Sequence, residues 1–129
     1  MTKFTKYGFP IGANEDVFSA KQVPEHLKHV LEDRKTYHFG SFGVCPFRVK
    51  HDVPTFGYLI HHPECGTILF ATDCAFIPYR FPNVKHLIIE ANYSDEILEQ
   101  RILSGEENAA RRKRLLETHM EIGITIKGI

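Results

Sequence analysis

The segment Thr67-Ile-Leu-Phe-Ala-Thr72 constrains the fold more than any other part of this chain. It is almost wholly apolar, and it reads as a β-strand covered on both faces. Just before it, Pro63-Glu-Cys-Gly66 is a tight-turn sequence, and Phe56 to His62 is a β-rich run. Phe56–Thr72 is therefore predicted to be a β-hairpin whose second strand is central to a sheet.

Further β-rich runs occur at Tyr37 to Phe39, Val44 to His51 and His86-Leu-Ile-Ile-Glu90, separated by Gly, Pro and Asp. Pro24 sits where a first helical residue belongs, and Leu27, Val30 and Leu31 follow at helical spacing, which predicts a helix from Pro24 to about Arg34. Tyr7-Gly-Phe-Pro-Ile11 reads as a short extended piece ending at Gly12. Ser94 is placed to cap a helix running to about Leu103, with Ile97, Leu98, Ile102 and Leu103 on one face. Glu106 to Thr118 reads as a second helix ending just before His119, and the tail 120–129 has neither helical periodicity nor a strand boundary. Strands followed by helices predict an α/β fold, a mixed sheet with helices on one face. No repeat or linker divides residues 1–129, so a single domain is expected.

Composition narrows the function classes. Lys plus Arg number 16 and Asp plus Glu number 16, so the overall field does not drive this chain onto nucleic acid. A local phosphate site stays open. Cys45, Cys65 and Cys74 form no C-x-x-C pair, which argues against a disulfide framework or an all-cysteine zinc knuckle, and a reducing cytoplasm is the natural setting. The first residues, Met-Thr-Lys-Phe-Thr-Lys, carry no apolar leader core, and no apolar run approaches the ~18 residues of a membrane span. No membrane association is expected.

Three polar residues stand out by position. His51 ends the run Pro46-Phe-Arg-Val-Lys-His, Asp73 directly follows the apolar strand, and His119 directly follows a helix. Strand ends and the loops after them are where a sheet of this kind builds its site. Imidazole with carboxylate is a ligand set for zinc, manganese or iron, and a carboxylate can bridge two metals. Against this, an Asp after a strand is most often a turn former, and a His at a helix end often complements the dipole. Spacing alone does not make a metal site.

The words around these residues add to the argument. Pro46-Phe-Arg-Val-Lys-His-Asp-Val-Pro-Thr-Phe-Gly-Tyr-Leu-Ile60, Thr67-Ile-Leu-Phe-Ala-Thr-Asp73, Leu87-Ile-Ile-Glu-Ala-Asn92 and Thr118-His-Met120 occur in that order. The series resembles the second half of the metallo-β-lactamase-fold hydrolases. It is most similar to the branch of tRNA-maturation endoribonucleases and phosphodiesterases, including versions carried by phages. The resemblance implies half of a four-layer αβ/βα sandwich. It also implies metal ligands at His51 and His119 and a bridging ligand at Asp73. In the family two metals, usually zinc, hold a bridging hydroxide that attacks a phosphodiester or other ester. Glu90 and Asn92 match a recurring Glu-Ala-Asn element to which the resemblance assigns no ligand role.

Two departures qualify what the resemblance implies. The family's His-x-His-x-Asp-His signature is absent, since His26 and His29 lie on the expected Pro24 helix without an Asp-His continuation. The signature is expected upstream of residue 1. His119-Met-Glu also replaces the family's His-Met-Ser. Three of about seven ligands remain visible, so weak metal binding and little hydrolysis are expected of the chain alone. A complementing N-terminal half, or a second copy, would be the partner, and phosphodiester or nucleic acid the substrate. The rival class is a non-catalytic α/β remnant or interaction subunit.

Lesser candidates have simpler explanations. His61 and His62 precede Pro63 and are expected in a solvent-facing turn, and Cys74 is expected to be a small buried residue. Arg111-Arg-Lys-Arg114 spreads its charges around a helix, as a solvated surface does, although contact with a phosphate backbone would use the same residues.

Overall fold

The structure is a computed structural model that describes residues 2–91, 93–106 and 108–121. It has an α/β fold built on a five-stranded mixed sheet in the order β3-β4-β5-β6-β7. The strands are β3 (Tyr37–Phe39), β4 (Phe42–Val49), β5 (Thr55–His62), β6 (Gly66–Ala71) and β7 (Val84–Ile89). The first four form an antiparallel meander, and β7 joins parallel to β6. The expected hairpin is present, with His62 opposite Gly66 and Tyr58 opposite Phe70. Gly66 takes φ +78, the left-handed value that closes a three-residue hairpin loop and that favours glycine. Pro46 is tolerated inside β4 because β3 stops pairing at Val44, and its carbonyl accepts the Arg34 N–H at 2.7 Å.

Side-chain alternation splits the sheet into two unequal faces. One face carries Phe47, Val49, Leu69 and Ala71, packed with Leu59, Leu87 and Ile89. Ile77, Tyr79 and Phe81 from the β6–β7 connection and Met120 from beyond the last helix close over it. Phe47 stacks on Phe81 with ring centroids 4.6 Å apart. Opposite Phe47 lies Gly57, where an added Cβ would stand 2.5 Å from the Phe47 ring, so only glycine lets that ring lie against the sheet. The other face carries Tyr58, Ile60, Ile68 and Phe70, all half-buried, and Ile88, which is 52% exposed. The apolar run of β6 is therefore fully covered on one side and partly on the other.

The N-terminal part differs from expectation. Instead of an α-helix from Pro24, Glu25–Leu27 forms one 3-10 turn, and Lys28–Val30 is strand β2, parallel to β1 (Ile11–Ala13). Leu27 and Leu31 are buried as the helical pattern required, but Val30 is exposed, so two apolar positions imitated a helical stripe that tertiary pairing overrode. Between β1 and β2 lies α2 (Glu15–Ala20), whose Phe18 packs with Ala13, Val23 and Leu27 in a second small core. A short α1 (Thr2–Lys6) precedes β1.

Helices α3 (Asp95–Leu103) and α4 (Ala109–Thr118) end the described chain. Ser94 occupies the expected N-cap position without a side-chain cap bond. Of the apolar face expected on α3, Leu98 is buried and Ile102 half-buried, whereas Ile97 and Leu103 are exposed. The second helix starts later than expected because the Asn108 side chain accepts the Arg111 N–H at 2.8 Å and caps it there. Met120, expected in an indistinct tail, is buried in the main core, whereas residues 122–129 lie outside the described residues. No helix among the described residues is long and apolar enough to cross a membrane.

Candidate metal centre

Strand direction assembles the site. β4 and β6 are both antiparallel to β5, and β7 is parallel to β6, so β4, β6 and β7 all run the same way. Their C-terminal ends open on one edge, and the residues just beyond those ends are His51, Asp73 and Glu90. Two backbone hydrogen bonds, Lys50 N–H to Phe76 O at 3.3 Å and Ala75 N–H to Lys50 O at 2.8 Å, tie the β4 end to the loop after Asp73. His119 arrives from the last turn of α4, where its N–H bonds Leu115 O at 2.9 Å, and the buried Met120 anchors it.

Asp73 and His119 come together, with Oδ1 and Nδ1 3.9 Å apart. Glu90 joins them: one ligand atom each from Asp73, Glu90 and His119 lie within 4.8 Å of one another. The His51 ring lies edge-on to the His119 ring at 6.2 Å between centroids, and its Nε2 is 3.0 Å from Asp52 Oδ1. His51 stands beside the group of three rather than within it. Two donors on one tetrahedral zinc, each at ~2.0–2.1 Å, sit about 3.3 Å apart. The Asp73 and His119 donors, 3.9 Å apart, stand close to that spacing, so the pair suits a divalent cation, while Glu90 Oε2 is engaged by the Asp73 N–H.

The local backbone is unusual. Asp73 has φ +50, a left-handed conformation that a short polar side chain tolerates better than most and that clusters at functional positions. Its N–H donates to Glu90 Oε2 at 2.7 Å. Next to it, Cys74 is buried as expected, and burial, then the Glu90 and Asp73 carboxylates, push its thiol up to about 11. Cys74 belongs to the core, not to the ligand set.

Glu90 is the residue that sequence reasoning left without a role. Its signal was the same as that of Asp73, a carboxylate directly after an apolar strand, but only the parallel pairing of β6 and β7 makes the two neighbours. Asn92, from the same element, lies outside the described residues. His26 and His29 are not on an α-helix: His26 is in the 3-10 turn, and the His29 ring packs against Phe39 at 5.9 Å. His61 and His62 end β5, where they bond Thr67 Oγ1 at 3.3 Å and Ser41 Oγ at 2.9 Å. In the Arg111–Arg114 run, Arg112 turns toward α3 and pairs with Glu99 at 3.4 Å, so the run does not present one continuous cationic face.

No family model matches the chain. The chain is similar to an exodeoxyribonuclease. It is 29% identical over 119 residues to the exodeoxyribonuclease WalJ of Streptococcus pneumoniae, in serotype 2 strain D39 and in strain R6. The match takes in 77% of this chain and 44% of each relative. The chain thus spans less than half the length of the curated relatives it matches.

Proposed function

We propose that this chain carries half of a two-metal hydrolase site directed at phosphodiester bonds of nucleic acid, within a metallo-β-lactamase-type sandwich. One observation carries the proposal: Asp73, Glu90 and His119 meet at the shared C-terminal edge of β4, β6 and β7, with His51 beside them. The similarity to an exodeoxyribonuclease supports the choice of nucleic acid as substrate. Asp73 would bridge the two ions, and His51 and His119 would each hold one.

Zinc is the first choice of ion, and manganese or iron suits the same donors. When bound, the ions would supply a deprotonated water and neutralise charge on the scissile phosphate. This chain's own part is to fix the donors: β6 and α4 present Asp73 and His119, and His51 closes the side nearest β4. The remaining ligands would come from sequence outside these residues, in the same polypeptide or a complementing half. Cys45, Cys65 and Cys74 are unpaired, which suits a reducing cytoplasm.

The chain by itself is expected to bind zinc weakly and to hydrolyse little. Elemental analysis after gentle purification, with a nuclease assay on the same sample, checks this. Stoichiometric zinc with strong phosphodiesterase activity would show that the site is complete in this chain. The rival, a non-catalytic subunit, rests on the missing His-x-His-x-Asp-His signature. Adding a polypeptide that bears that signature separates the two: metal uptake and nuclease activity appear together for a half-enzyme, and neither appears for a remnant.

A further inference from the structure

We propose that Glu90 is the positioning residue for Asp73: it clasps the turn after β6 and so aims the Asp73 carboxylate at His119. The inference rests on the reading of Asp73 as a metal ligand. Glu90 touches that turn twice. Its own N–H donates to Ala71 O at 3.1 Å, and its carboxylate Oε2 accepts the Asp73 N–H at 2.7 Å. The three residues from Ala71 to Asp73 are therefore held at both ends by one side chain and its backbone.

The clasp answers a physical need. Asp73 lies in the left-handed region at φ +50, which Asp adopts more readily than most residues but at a cost that a local restraint offsets. A charged acceptor on its amide is such a restraint, and at 2.7 Å it is a short, strong one. On the far side the Ala75 N–H to Lys50 O bond, 2.8 Å, holds the chain where it leaves the turn. With both sides held, the Asp73 carboxylate stays 3.9 Å from His119 Nδ1 before any ion arrives. Loss of a partner that orients a ligand in this way typically weakens metal binding about 10- to 100-fold.

The length and the acceptor both matter. Glu90→Gln keeps the reach and a carbonyl acceptor, whereas Glu90→Ala leaves the Asp73 amide without either. Two measurements on the full chain test this. In the metal-free state, hydrogen exchange at the Asp73 amide is expected to be at least about tenfold faster in Glu90→Ala than in the wild type or Glu90→Gln. In zinc titrations, Glu90→Ala is expected to weaken binding by about 10- to 100-fold, with Glu90→Gln close to wild type. If Glu90→Ala does not fold, Glu90→Asp, one methylene too short, takes its place with the same expectations. Unchanged exchange at Asp73 in Glu90→Ala overturns the clasp. Equal loss of zinc in Gln and Ala variants also overturns it, since Glu90 would then act as a ligand. A wild-type chain that protects the Asp73 amide through Glu90 but takes up no zinc overturns the metal reading alone and leaves the clasp standing.

Discussion

At the turn after β6, three neighbouring residues meet three different fates within one strand end. Ala71 is fully buried in the core, Asp73 reaches solvent on a left-handed backbone, and Cys74 returns to the interior at 2% exposure. Alkylation of the native chain at pH 8 should therefore label the exposed Cys65 fastest, with Cys74 at least about tenfold slower, because the reactive species is the thiolate and burial holds Cys74 protonated. Mass spectrometry of the labelled peptides reads the order, and equal rates would mean that the core around Asp73 is open.

Among the elements, those specified by local signals were legible and those specified by distant partners were not. The β5–β6 hairpin announced itself through a β-rich run, an apolar second strand and the Pro63–Gly66 turn, and β7 through its apolar run. Strand β2 was hidden, because only pairing with β1, far back in the chain, makes Lys28–Val30 extended. The site divided the same way. The motifs pointed to His51, Asp73 and His119 as candidates, whereas Glu90 acquires its neighbour only when β7 lies parallel to β6. Asn14 was missed although its cap chemistry is local: its Oδ1 accepts the Val17 N–H at 2.9 Å and starts α2. It does more than cap, since its Nδ2 donates to Pro54 O at 2.9 Å and ties the small N-terminal core to the loop before β5. Asn14 itself is 7% exposed, and both of its bonds are partly buried. Asn14→Ala should cost about 1–3 kcal/mol in urea unfolding. Asn14→Ser should cost less, because its hydroxyl oxygen keeps the cap and only the donor to Pro54 is lost. Equal losses for the two would mean that the cap contributes nothing.

Taken as a whole, the molecule has a finished face and an unfinished one, and this asymmetry bears on how it exists in solution. The core face of the sheet is closed by the β6–β7 connection and Met120. The opposite face lines up Tyr58, Ile60, Ile68 and Phe70 half-buried, with Ile88, paired with Phe70 across the parallel ladder, 52% exposed. A contiguous apolar strip of this kind marks a surface that is normally covered. The chain spans less than half the length of its relatives, so under the proposed sandwich the complementary half would be the occupant of this strip. Without that half, the strip's nearest equivalent partner is a second copy of the chain. Sedimentation of the chain alone is therefore expected to show association that grows with concentration, and Ile88→Lys is expected to shift it toward monomer. The substitution puts a charge on an edge strand at a position already open to water, so far-UV circular dichroism should stay as in the wild type. A wild-type chain that stays monomeric at every concentration would mean that the strip is stable in water, and the sandwich reading would lose its best physical argument. If Ile88→Lys disperses the chain and also blocks rescue of nuclease activity by a complementing half, the same strip serves both contacts. Association and completion of the metal site would then compete, and a completed enzyme would form only where the second half outbids the second copy.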